Sequence, residues 1–169
     1  MWPRILVLLY VLTTYGTLPI ARSILNSLES RGLVSIVVLS STVVAMVGLG
    51  WLAKRTRLWQ RPMHFLILVA GIAGLCIFST TLPLWAERIH LVQYAGLGVL
   101  VGQAVPIDNW RRFPTVALIA CAVGLGDEAI QYVLPERVFD WRDVGFNALA
   151  GTVGALADFL IHHAKATER

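Results

Sequence analysis

The chain is short of charge. Only 14% of its 169 residues are Asp, Glu, Lys or Arg, against about 25% in an ordinary soluble domain. Two cysteines are too few for a disulfide scaffold. Internal repeats, low-complexity tracts and long polar linkers are lacking, so a single domain over residues 1–169 is expected. What remains is apolar: 57% of residues are hydrophobic and mean hydropathy is +0.70. These values exclude a disordered chain and a soluble globule, and they indicate an all-α polytopic membrane bundle. The net charge of +4 rests on few basic residues clustered at loop ends. It therefore reads as a device for orientation in the bilayer, and no nucleic-acid partner is expected.

A helix needs roughly 20 apolar residues to cross a hydrocarbon core about 30 Å thick. Candidate spans run from about Ile5 to Ile20, Leu33 to Ala53, Met63 to Trp85, Glu87 to Pro106, Phe113 to Leu134 and Asp143 to His163. The first reads as an uncleaved helix, because only Arg4 precedes it and no A-x-A site follows. Arg22 to Arg31 reads as an interfacial amphipathic turn or a plain loop. With the N-terminus inside, Arg4, Lys54, Arg55, Arg57, Arg61, Arg111, Arg112, Lys165 and Arg169 fall inside, and Arg22, Arg31, Arg88, Arg137 and Arg142 outside. The positive-inside rule then places both termini in the cytoplasm. Trp2, Trp51, Trp59, Trp85, Trp110 and Trp141 all fall at span ends, as an interfacial aromatic belt requires. Cys76 and Cys121 lie inside spans and read as packing residues.

The acids are placed unevenly. Glu29, Glu87, Asp127, Glu128, Glu136, Asp140 and Asp143 belong to the outer side, and Asp108, Asp158 and Glu168 to the inner side. Glu128 sits about 22 Å along its helix from Phe113, within the outer half of the bilayer. Helical spacing sets Gln131 on the side of Glu128, His90 and Tyr94 below Glu87, and Asn147 below Asp143. Ionisable groups at membrane depth face a protein interior or a wet cavity. These residues therefore predict an outward-facing polar pocket, with Asp127 and Asp140 beside it and Arg88 and Arg137 at its rim. The alternative is a network that only locks helices together. On the last span, Asp143, Asn147, Gly151, Gly154, Asp158 and His162 share one face. The glycines allow close packing. Asp158 and His162 read first as an interfacial pair reaching headgroups, and second as a proton path.

The outer residues spell E-R-I-H-L-V-Q-Y over Glu87 to Tyr94 and D-E-A-I-Q-Y-V-L-P-E-R-V-F-D-W-R-D-V-G-F-N-A-L-A-G over Asp127 to Gly151. This pattern resembles the VanZ-like family of small bacterial membrane proteins, with a core segment at residues 87–157. The matching positions are His90, Tyr94, Glu128, Gln131, Pro135, Arg137, Asp143 and Asn147. Gln93 stands where related sequences often carry an acid, and the first three spans hold no motif of this kind. The family takes its name from an accessory protein of glycopeptide-resistance clusters, associated with teicoplanin resistance. The resemblance implies an envelope-related role in the bacterial inner membrane.

Three functions compete. The chain could bind an envelope lipid or lipid-linked glycan through the pocket residues Glu87, Arg88, Tyr94, Asp127, Gln131, Arg137, Asp140, Asp143 and Asn147. It could be an enzyme on such a lipid, with Glu128 as general base and His90 as its catalytic partner. It could be an assembly component. No H-E-x-x-H, G-x-S-x-G or P-loop is present. Glu87-x-x-His90 has the spacing of a di-iron helix, but a second such motif is missing, so a site from Glu87, His90, Glu128 and Asp143 is disfavoured. No metal or cofactor is expected.

Overall fold

The structure, a computed structural model, describes residues 2–135 and 137–166. Glu136 and Glu168, two of the acids assigned to a side, and Arg169, one of the basic residues assigned inside, lie outside the described residues, as does the side chain of Lys165. The helices are α1 (Trp2–Ser30), α2 (Val34–Arg55), α3 (Pro62–Thr81), α4 (Trp85–Ala104), α5 (Arg112–Val133) and α6 (Trp141–Ala166). A 3-10 turn at Leu58–Gln60 joins α2 to α3. Each expected span corresponds to one helix, and the described residues contain no strand.

Two boundaries differ from expectation. α1 does not end near Ile20: it runs through Pro19 to Ser30, so Arg22 to Arg31 is mostly its last two turns. Ala21, Leu25 and Leu28 form the half-buried stripe there, while Ile24 is exposed. The chain then reverses at Gly32, whose φ of +68° is the left-handed conformation that glycine adopts without a Cβ penalty. The third span stops at Thr81, so Trp85 opens α4 instead of closing α3.

Among the described residues, five helices are long and apolar enough to cross a membrane, and α4 is not among them. Its first three turns carry Glu87, Arg88, His90 and Gln93. Nevertheless α4 runs the same course as α6. Arg142 of α6 meets Glu87 at one end, and Asp158 meets Gln103 at the other. Residues 87 to 103 and 142 to 158 span equal lengths, about 24 Å. Packing against α6 dominates the fold. It is close because the facing residues are small. A Cβ on Gly98 would lie 2.8 Å from the Ala155 nitrogen, and one on Gly151 2.8 Å from the Ala120 Cβ. A Cβ on Gly154 would overlap the Ala95 carbonyl. The close-packing role expected of Gly151 and Gly154 is therefore met, with Gly98 as the partner.

Leu91, Leu97, Val101, Val116, Ala150 and Ala155 form the main core between α4, α5 and α6. A second core of Ala53, Leu58, Leu68, Leu160 and Ile161 ties the basic α2–α3 loop to the C-terminal half of α6. Lys54, Arg55, Arg57 and Arg61 thus share one end of the bundle with Asp158, and Glu87, Glu128 and Asp143 occupy the other. α2 and α3 bury little: Val34 and Ala53 in α2, Leu68 in α3. Arginines lie over three of the helix-end tryptophans, with Arg55 over Trp51 at 5.2 Å, Arg88 over Trp85 at 4.5 Å and Arg111 over Trp110 at 5.6 Å. Such cation–π pairs suit a polar–apolar boundary.

Candidate functional site

The acidic end of the bundle gathers side chains from α4, α5, α6 and the loop before α6. Tyr94 donates its hydroxyl to Asp127 Oδ2 at 2.8 Å. Gln131 Nε2 donates to Glu128 Oε1 at 3.0 Å, and the Asp140 backbone N–H donates to Glu128 Oε2 at 3.2 Å. Asp127, Glu128, Tyr94 and Asn147 are at most 1% exposed, and Glu87 and Gln131 are also buried. His90, Asp127 and Glu128 each offer a ligand atom, and these atoms lie within 4.8 Å of one another. Asp127, Asp140 and Asp143 are within electrostatic reach of Glu128.

This cluster is incompletely satisfied. Asp127 Oδ1, His90 Nδ1, Asp143 Oδ1 and both amide atoms of Asn147 are buried without a hydrogen-bond partner. Each such atom costs roughly 1–3 kcal/mol relative to its solvated state. Native interiors seldom leave several together, and a site that does is one where a ligand can repay the cost. A cavity of about 110 Å³ lies alongside, between α1 and α4. His90, Gln93, Asp127 and Arg137 line it, together with Thr14, Thr17 and Arg22 of α1.

Some expected pocket residues have other duties. Arg88 does not face the acids; its guanidinium donates to the Leu82 carbonyl at 2.8 and 3.1 Å and covers Trp85. Asp140 caps α6, its Oδ1 accepting from the Arg142 N–H at 2.8 Å. Glu87 accepts from the Leu84 N–H at 3.2 Å, closing the first turn of α4, and pairs with Arg142 at 3.6 Å. Arg137 stays at the rim, donating to Gln131 Oε1 at 3.3 Å and to the Leu18 carbonyl at 3.4 Å.

The last contact belongs to a group that spacing on single helices does not reach. α1 closes the site through Tyr15, which donates to the Val123 carbonyl at 2.7 Å, and Thr14, which accepts from Gln93 Nε2 at 2.8 Å. Tyr10 donates to the Gln93 carbonyl at 2.8 Å. The signal was present as hydroxyls at Tyr10, Thr13, Thr14, Tyr15 and Thr17 within an otherwise apolar run. Arg142 was counted only as an outer loop charge.

The other end of the same helices differs from expectation. Asp158 does not reach headgroups, and its hydrogen bonds run to other helices instead of to His162. It is fully buried and accepts from Arg112 Nε at 2.7 Å and from Gln103 Nε2. Arg112 also donates to the carbonyls of Gly102, Val105 and Ile107. Gly102 is small because the Asp158 carboxylate fills the space a Cβ would take. His162 turns instead to Asp108, at 3.0 Å. Cys76 is exposed rather than packed, and Cys121 is half-buried; both are free thiols.

A family model described as VanZ/LLP1 matches residues 5–162. The match reaches back through α1, α2 and α3, well beyond the segment 87–157 that carries the motifs. No curated protein matches the chain, and no solved structure does.

Proposed function

The chain belongs to the VanZ/LLP1 family and is a multi-pass membrane protein; from that premise we propose that it binds an envelope lipid or lipid-linked glycan in the bacterial inner membrane. The observation that carries this reading is the set of orphaned polar atoms beside a small cavity at the acidic end. Carboxylates and the Asn147 amide suit sugar hydroxyls, and Arg137 suits a linking phosphate. An apolar groove of about 750 Å³ supplies a place for the lipid chain. Met46, Leu49, Leu75, Val99 and Val153 are among its walls. Tyr10 lines the groove and Thr14, one turn further along α1, lines the polar cavity, so the two regions adjoin. The protein then acts as an accessory that holds an amphiphile with its head toward the outer face. The glycopeptide-resistance association of the family fits such a role.

Native mass spectrometry with lipid extraction tests the reading. Wild type should retain a discrete envelope lipid that Glu128→Gln loses while still inserting into the membrane. Identical bulk phospholipid in both would overturn it. Tags on both termini should report the cytoplasm; a periplasmic C-terminus contradicts the orientation on which the outward-facing pocket depends. A second reading, catalysis on the bound lipid, is favoured by the convergence of His90 and Glu128. It predicts that the retained lipid is turned over by wild type and left unchanged by His90→Gln.

A further inference from the structure

We propose that His90, Asp127 and Glu128 bind a divalent transition-metal ion, zinc or manganese, at the wall of the polar cavity. Sequence spacing favoured no such site, because it grouped His90 and Glu128 with Glu87 and Asp143. The fold substitutes Asp127, and Glu87 is committed to Leu84 and Arg142. Two observations carry the proposal independently. One is the convergence of an imidazole and two carboxylates from α4 and α5, with ligand atoms within 4.8 Å. Donors about 2.0–2.2 Å from one ion lie about 3–4.4 Å apart, so small side-chain adjustments complete the set. The other is that Asp127 Oδ1, on a side chain 1% exposed, and His90 Nδ1 have no hydrogen-bond partner. An ion satisfies both atoms together and neutralises two carboxylates held close in a low-dielectric interior.

The surroundings fit a metal centre. Tyr94 donates to the other oxygen of Asp127, and Gln131 and the Asp140 N–H hold Glu128, as outer-sphere partners orient ligands. A mixed imidazole–carboxylate set suits zinc or manganese better than magnesium. Three protein ligands leave positions open toward the cavity that His90 and Asp127 line. There the ion would take a phosphate or hydroxyl oxygen. The proposal does not rest on the lipid reading, because metal and lipid contents are measured separately.

The test uses the full chain in detergent, freed of any histidine tag, equilibrated with zinc chloride or manganese chloride and then dialysed. Elemental analysis should find about one ion per wild-type chain, as for a mononuclear site. Asp127→Asn and His90→Gln should lose it, and Tyr94→Phe should bind about 10–100-fold more weakly. Asp108→Asn, at the opposite end, should bind as wild type does. Equal metal in wild type and Asp127→Asn overturns the proposal. Should Asp127→Asn fail to fold, X-ray absorption of zinc-loaded wild type decides. A nitrogen-plus-oxygen shell at about 2.0–2.2 Å upholds the site, and a thiolate or purely aqueous shell refutes it.

Discussion

Two buried polar centres sit at opposite ends of the same three helices, and they are built on opposite plans. At one end Arg112 and Asp158 form an ion pair in which the guanidinium also donates to three carbonyls, Gly102 in the last turn of α4 and Val105 and Ile107 in the α4–α5 connection. At the other, Asp127, His90, Asp143 and Asn147 keep buried atoms without partners, and His90 and Asp127 line a cavity. A satisfied network fixes helices in place, whereas an unsatisfied one holds free energy in reserve for something that binds. Both contain acids at membrane depth, so the presence of a buried carboxylate does not separate structure from function. The state of its partners does.

The largest expected effect lies at the satisfied end. Asp158→Ala leaves Arg112 buried and unpaired, and it should destabilise the bundle by about 3–5 kcal/mol in reversible unfolding from detergent micelles. A loss no greater than that of Glu128→Gln would erase the contrast between the two ends. Gly154→Val comes next. Its side chain meets the Ala95 carbonyl and should cost about 1–3 kcal/mol by forcing α4 from α6. Tyr94→Phe leaves Asp127 Oδ2 buried without its hydrogen bond and should cost about 1–3 kcal/mol in the same assay. Glu128→Gln should move stability least, by under about 0.6 kcal/mol, because the new amide oxygen can still accept from the Asp140 N–H while Gln131 turns its own oxygen to the new NH2. Its effect should appear instead as lost lipid or metal. Arg88→Ala sharpens the comparison, since a guanidinium tied to Leu82 and Trp85 predicts unchanged ligand retention.

Much of this arrangement was legible in the residues. Apolar runs and helix-end tryptophans placed every helix, because bilayer thickness imposes a length that sequence cannot disguise. Spacing of three and four residues brought His90 under Glu87 and Asn147 under Asp143, because one helix face is a local property. Arg112 was not legible. A basic residue at a span end looks the same whether it anchors in headgroups or turns inward, and only Asp158 on a distant helix decides which. The same holds for Arg142, and for Tyr15, whose acceptor Val123 lies far along the chain. The sequence places a helix at α4, although its polar first turns keep it below the apolarity of the other five. Its polarity is tolerable because α6 covers one face and pairs Glu87, while α1 and α5 take up Gln93 and Tyr94, which again is information from elsewhere in the chain.

That shielding has a consequence for biogenesis. The chain is made from its N-terminus, so α4 and α5 leave the ribosome before α6 exists. Until α6 arrives, Arg112 has no Asp158, Glu87 has no Arg142, and the Gly98 surface lies bare against lipid. A helix of modest apolarity with an uncompensated charge nearby enters the bilayer poorly. Integration of α4 should therefore be completed by synthesis of α6, making the last helix the latch of the assembly. Chains stopped ahead of Trp141 should leave α4 outside the membrane in a glycosylation-mapping assay, and full-length chains should not.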